Sequence, residues 1–167
     1  MRCDGRVVCA LTLAALTTLG CSPALNWREV PLGSTKMMLP CKPDHAQRTI
    51  QLDDKQMNME MVGCEAGGAL FAASRLEVPP AELQAVLAQW HRASMASLGD
   101  VAHSQAGPPL TGKSLAAVGQ GRGQDGSAMQ ARFLWQSGSH EVILLAVYAP
   151  HIGEDMTVPF LIDLKLQ

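Results

Sequence analysis

Three methionines, Met57, Met59 and Met61, alternate with polar residues along one stretch of the chain. Residues two apart in an extended strand point to the same side, so the three thioethers are expected on one face. Thioether sulfur is a soft ligand that selects Cu(I), which raises the hypothesis of a copper-binding module. The same alternation is typical of a half-buried strand whose methionines fill the core. The pattern favours the core interpretation, and we expect no metal ion or other cofactor.

Two cysteines, Cys41 and Cys64, lie well beyond the apolar N-terminal region. In an oxidising compartment two such thiols favour a disulfide. If a hairpin pairs Leu52 with Gln56, Cys64 lies opposite Asp44, three residues from Cys41. The sequence therefore predicts a Cys41–Cys64 bridge, with two separate buried thiols as the alternative.

Two further motifs could bind a cofactor or a metal, but each lacks the context it needs. Residues 121–126 match the glycine pattern of dinucleotide-binding loops, yet residues 128–136 after them are typical of a strand, where that site requires a helix. A flexible hairpin loop is predicted instead.

His151, Glu154 and Asp155 form a local histidine–carboxylate cluster, but no second ligand pair stands at zinc-site spacing. A solvated loop is predicted there.

The chain also lacks the short motifs of two common enzyme classes. It contains no Gly-x-Ser-x-Gly elbow and no Cys-x-x-Cys pair, which argues against a typical hydrolase or thiol oxidoreductase. We therefore expect a protein without catalytic residues.

The N-terminal region has the layout of a secretory signal. Arg2 and Arg6 precede thirteen uncharged residues, Val7 to Leu19, a segment too short to span a bilayer comfortably. The residues that follow, Leu19-Gly20-Cys21, resemble the lipobox of bacterial lipoproteins, although that family prefers Leu and a small residue where this chain has Thr18 and Leu19. An ordinary signal peptide cut near the same place is the alternative.

The lipobox resemblance implies a removed signal peptide over residues 1–20 and an acylated Cys21. In lipoproteins of this kind an Asp after the cysteine signals retention in the inner membrane. Ser22 at that position implies a protein held by its lipid at the outer membrane, facing the periplasm. Residues 21–26 would then be a short tether to a single globular domain over residues 27–167.

Composition and charge limit the partners of this domain. The chain has 13 Lys and Arg residues against 15 Asp and Glu, and no run of like charge exceeds two residues. Nucleic acid is an unsuitable partner, because phosphate binding requires clustered basic residues. Hydrophobic residues make up 47% of the chain but aromatic residues only 4%, so a globular core must be built mainly from aliphatic side chains and methionine.

Hydrophobic periodicity predicts strands around one long helix. Residues 48–52 and 56–62 both alternate with period two and form a predicted hairpin, and helical spacing follows the prolines at 79 and 80 up to Gly99. Further strands are predicted near residues 114–118, 128–136 and 141–148, and the tail is predicted as a short helix or a last strand. This order predicts an α+β fold, an antiparallel sheet with a central helix packed on it.

The element order, together with the segments Leu39–Pro43 and Phe160–Leu166, resembles the PsbP-like α/β/α sandwich and small proteobacterial lipoproteins of similar layout. Members of that fold act mostly as accessory or binding proteins without a catalytic centre. The resemblance implies a lipid-anchored, non-catalytic module that binds or supports another envelope component. A copper-binding module, an enzyme with an unrecognised site and a purely structural lipoprotein remain alternatives.

Overall fold

A computed structural model describes residues 25–97, 105–106, 114–123 and 125–162. About half of these residues form one antiparallel sheet with the strand order β3-β4-β5-β9-β8-β7-β6, and the first two strands form a separate hairpin. The strands are β1 (Arg28–Leu32), β2 (Thr35–Leu39), β3 (Asp44–Leu52), β4 (Lys55–Ala66), β5 (Ala69–Glu77), β6 (Gln105–Ala106), β7 (Ser114–Arg122), β8 (Ala128–Ser137) and β9 (Glu141–Ala149). The helices are α1 (Leu83–Ala96), which follows a 3-10 turn over Pro80–Glu82, and α2 (Glu154–Ile162).

The two faces of the large sheet bury two separate hydrophobic clusters. We call them the hairpin face and the helix face, after the elements that cover them. On the hairpin face, the β1–β2 hairpin and α2 pack on the sheet, and Met37, Leu39 and Phe160 join Phe71 in one cluster. On the helix face, α1 contributes three buried side chains, Val86, Leu87 and Trp90, to a cluster that contains Trp135.

The central strand β9 shows that the sheet is covered on both sides. Eight of the nine residues of β9 are buried, which is the burial pattern of a strand enclosed by layers on both faces. The strands at the two sides of the sheet are more exposed, and β3 forms one edge with six consecutive exposed residues from Asp44 to Thr49.

The predicted α+β class, with its α/β/α sandwich, is wrong. The structure is mostly β, with 57% of the described residues in strands and 21% in helices. The difference has two physical reasons. The strands of the β3–β4 hairpin are longer than the predicted alternation. Residues 28–39 form a second small sheet that covers one face of the large sheet, where the sandwich requires helices.

Several local predictions are confirmed, with small shifts. Residues 44–52 and 55–66 form the expected hairpin, but Leu52 pairs with Lys55, so Asp44 lies opposite Gly63 and not opposite Cys64. The helix after Pro80 begins at Leu83 and the tail begins as a helix. Among the described residues, no helix is long and apolar enough to cross a membrane.

Candidate binding cleft

A concave feature of the described residues arises because α1 is shorter than the strands beneath it. Fourteen helical residues extend about 21 Å, whereas the nine residues of β5 extend about 30 Å. The helix begins after the end of β5 and runs back over the sheet towards the start of β5. It ends before covering the row that contains Leu70 and Tyr148, which are directly paired on β5 and β9. A cleft remains at this end of the sheet.

We call this feature the end cleft, and its volume is about 880 Å³. Its floor is apolar and includes Leu70, Tyr148 and Met129, and the end of α1 at Ser97 closes one side. The rim carries the charged residue Arg122. Among the described residues, the lining consists of residues 65–70, Ser97, Arg122, Gly123, Met129 and residues 148–150.

The aromatic residue of the floor is held by packing. The ring of Tyr148 meets that of Phe133 edge to face, with ring centroids 5.6 Å apart. Burial raises the pKa of Tyr148 above its ordinary value near 10. The phenol therefore remains neutral at physiological pH and offers the cleft an O–H group that can donate or accept a hydrogen bond.

The charges of the cleft lie at its edges. Glu65, near the end of β4, and Arg122, at the end of β7, are both exposed. The Arg122 guanidinium donates from Nη1 to the carbonyl oxygen of Gly126 at 2.8 Å, which holds it beside the β7–β8 turn. This arrangement suits a ligand with an apolar body in the floor and polar groups near the rim.

A second polar site is a buried ion-pair cluster on the hairpin face. The Arg75 guanidinium donates from Nε to Glu141, whose side chain is only 6% exposed, and from Nη1 to Glu60 at 3.4 Å. The hydroxyl groups of Thr35 and Ser34 in the β1–β2 hairpin donate to the same Glu141 carboxylate, at 2.8 and 3.3 Å. The cluster therefore joins the hairpin to the sheet.

Electrostatics within this cluster keep the arginine charged. Burial acts to lower the pKa of Arg75, but its hydrogen bond to Glu141 and the charges of Glu141, Glu60 and Glu77 together raise that pKa above its ordinary value. The hydroxyl, guanidinium and carboxylate groups of the cluster saturate one another, so its contacts are those of a structural clamp. Arg75 is a charged residue within the apolar run of β5, and this was the sequence signal that could have indicated the ion-pair cluster.

The predicted disulfide is confirmed. Cys41 and Cys64 are bonded, with their Cα atoms 5.9 Å apart and 23 residues apart in sequence. Cys41 lies just after β2 and Cys64 lies in β4, so the bond is a second link between the small hairpin and the large sheet.

The three methionines do share one face, as expected, but they are half-buried and not fully enclosed. Met57, Met59 and Met61 lie on the helix face near the edge of the sheet, and the first two pack against the cluster under α1. Met37, which is close to them in sequence, is buried on the opposite face. This methionine stripe, Met57, Met59 and Met61, therefore fills part of the core while part of each residue stays accessible.

The remaining candidate residues are scattered. His91 lies on α1, with its ring edge on Trp135, whereas His45, His140 and His151 are exposed. β7 ends at Arg122 and β8 starts at Ala128, so the glycine motif covers the end of β7 and part of a hairpin connection, of which Gln124 lies outside the described residues.

Some of the predicted sites cannot be placed, and no metal cluster is formed where the chain is described. Cys21 and residues 1–20 lie outside the described residues, and so does His103, the fifth histidine of the chain. Within residues 25–97, 105–106, 114–123 and 125–162, no three His, Cys, Asp or Glu side chains are grouped so that they could hold a metal ion.

Comparison with known proteins finds no relative of this chain. No family model matches it, and neither a curated protein nor a solved structure is significantly similar to it.

Proposed function

We propose that this protein is a non-catalytic binding module of the cell envelope and that its ligand site is the end cleft. The single observation that carries the proposal is a cleft of about 880 Å³ whose floor is apolar and whose rim bears polar groups. This volume falls within the range of about 300 to 1,000 Å³ that small-molecule sites occupy.

The residues of the cleft favour contact over reaction. The neutral phenol of Tyr148 and the guanidinium of Arg122 are suited to orienting a ligand by hydrogen bonds, and the apolar floor supplies most of the buried area. Leu70 is the exposed apolar side chain of this floor, with 40% of its surface accessible. A ligand that covers Leu70 removes that apolar surface from water, which favours binding.

The proposed location depends on Cys21. In the proposal, Cys21 carries the lipid, residues 1–20 are removed, and the domain over residues 27–167 stands at the outer membrane on the periplasmic side. The support is the layout of the N-terminal segment and its resemblance to the lipobox. Several acyl chains on one cysteine would give durable membrane attachment, since a single chain is marginal.

The cleft can be tested with an environment-sensitive naphthalene fluorophore as an apolar probe. We expect saturable binding of one probe per chain, and loss of that binding in Leu70→Glu because the variant places a charge in the apolar floor. Leu115→Glu is the matched control: Leu115 is 38% exposed on the same face but does not line the cleft. Equal probe binding by both variants would contradict the proposed site.

A protein partner docking on edge strand β3 is a second candidate. This strand has nine residues in unbroken register with β4, and it presents six consecutive exposed residues. Long, regular edges are templates for an added strand, and β3 has no bulge or proline to block pairing, while Asp44 and Arg48 are its charged residues. A photoreactive side chain at exposed Gln47 should crosslink an envelope protein, whereas one at exposed Gln84 on α1 should not. Identical crosslinks from both positions would contradict edge docking.

A further inference from the structure

We infer that the ligand of the end cleft is a phospholipid drawn from the bilayer in which the protein is anchored. The inference rests on the proposed binding function and on the proposed lipid at Cys21. It depends on where the cleft lies relative to the start of the domain, on the chemistry of its floor and on the cation at its rim.

The start of the domain and the cleft lie at the same end of the sheet. The turn between β4 and β5, Gly67-Gly68, lines the cleft on one side. Its other side meets the first described residue: a Cβ placed on Gly67 would lie 3.3 Å from Cδ2 of Leu25 and 3.8 Å from the Met156 methyl. The turn therefore separates the cleft from Leu25 by the thickness of one chain.

The distance from the proposed anchor to the cleft is short. Cys21 precedes Leu25 by four residues, which span at most about 14 Å when fully extended. An acyl group on Cys21 is inserted in the bilayer, so the turn is kept within about that distance of the membrane surface. The cleft is thereby held close to the lipid headgroups, and lipid is the amphiphile at highest local concentration.

The lining matches the two parts of a phospholipid. Leu70, Met129 and Tyr148 come from three adjacent strands and form the apolar floor on which an acyl chain would lie. Arg122 at the rim offers the planar guanidinium that recognises phosphate through paired N–H groups. Glu65 is the other charged residue that the described part of the chain contributes to the lining, and with Arg122 it gives one negative and one positive group, which suits a zwitterionic headgroup.

The test is to identify the lipid that the full-length protein retains. The chain is expressed with its signal in the envelope of a Gram-negative host, extracted in mild detergent, purified and extracted with organic solvent for mass spectrometry of phospholipids. We expect about one phospholipid per chain for the wild type and for Leu115→Arg. Leu70→Arg should retain less by about tenfold or more, because a charge against an acyl chain is strongly unfavourable.

The possible outcomes separate this inference from the proposed function. If the wild type retains no phospholipid but still binds the naphthalene fluorophore in a Leu70-dependent way, the lipid inference is wrong and the binding cleft stands. If Leu70→Arg and Leu115→Arg retain equal lipid, the lipid lies elsewhere and the inference is wrong. If neither lipid nor fluorophore binds, both proposals fail. Should Leu70→Arg not fold, Met129→Arg replaces it, with far-ultraviolet circular dichroism as the check on folding.

Discussion

Replacing Gly33 by alanine is expected to remove a large share of the stability of the domain. Gly33 lies in the β1–β2 turn with φ of +59°, a left-handed conformation that costs a residue with a side chain about 1 to 2 kcal/mol. Its missing side chain also matters: an added Cβ would overlap Nε, Cδ and Cζ of Arg75, which passes directly under the turn. The methyl group can be accommodated only if the arginine or the turn moves.

Either movement disrupts the buried cluster. If Arg75 moves away, Glu141 is left as a carboxylate that is 6% exposed and lacks its charged partner; if the turn lifts, Ser34 and Thr35 are drawn away from the same carboxylate. Removing one partner of a buried ion pair costs about 3 to 5 kcal/mol. Together with the backbone term, we expect Gly33→Ala to lose about 4 to 7 kcal/mol. This is a large share of the roughly 5 to 15 kcal/mol that holds a typical domain.

Gly68→Ala is the matched control for this experiment. Gly68 also lies in a hairpin turn with positive φ, +75°, but no atom lies within 4 Å of an added Cβ. This variant should lose only the backbone term of about 1 to 2 kcal/mol. Urea denaturation followed by tryptophan fluorescence measures both variants, with an unchanged slope confirming that the transition is comparable. If the two glycine variants lose the same free energy of unfolding, Arg75 is not confined beneath the turn and the clamp is wrong.

Four further predictions address the disulfide, the methionine stripe, the helix face and the anchor. Replacing Cys41 and Cys64 together by alanine should lower the free energy of unfolding by about 3 kcal/mol, measured in urea, because the ring of 24 residues no longer restricts the unfolded chain; no loss would contradict this contribution. Met59→Ala should cost about 1 to 2 kcal/mol, below the 2 to 5 of a fully buried methionine, because Met59 is half-buried; an unchanged midpoint together with lost Cu(I) binding would instead favour the copper module. Burial and the charge of Arg92 lower the pKa of His91 in the folded protein below its ordinary value of 6.5. Because the folded state then favours the neutral ring, the free energy of unfolding of the wild type should fall as the pH is lowered from 7 through the folded pKa. The loss should be smaller in His91→Gln, which has no imidazole to protonate. Cys21→Ser should shift the protein from the membrane to the soluble fraction, and an unmodified mature terminus in mass spectrometry would contradict lipidation.

Alternation of apolar and polar residues was sufficient to predict most strands, because strand periodicity is a local property of the chain. Residues 55–66 are the clearest case, since the run of Met57, Met59 and Met61 indicates both an extended conformation and a shared face. The prolines before Leu83 likewise indicate where the main helix starts. The disulfide followed from compartment and approximate register, although the register itself was one residue off.

The fold class and the cleft were beyond local reasoning. No periodicity indicates that residues 28–39 pack across the large sheet, because that contact joins segments more than a hundred residues apart, as the bonds from Ser34 and Thr35 to Glu141 show. The end cleft has the same origin: Leu70, Met129 and Tyr148 are distant in sequence and meet because β5, β9 and β8 are neighbours in the sheet.

By itself, the amino-acid sequence indicated the positions of the main strands and helix and the pairing of Cys41 with Cys64, since each depends on composition or on spacing within a short stretch. Only the tertiary structure decided which side chains from different elements meet in a clamp or a cleft. The physical reason is that strand order and layer packing bring together residues whose separation along the chain carries no information about their separation in space.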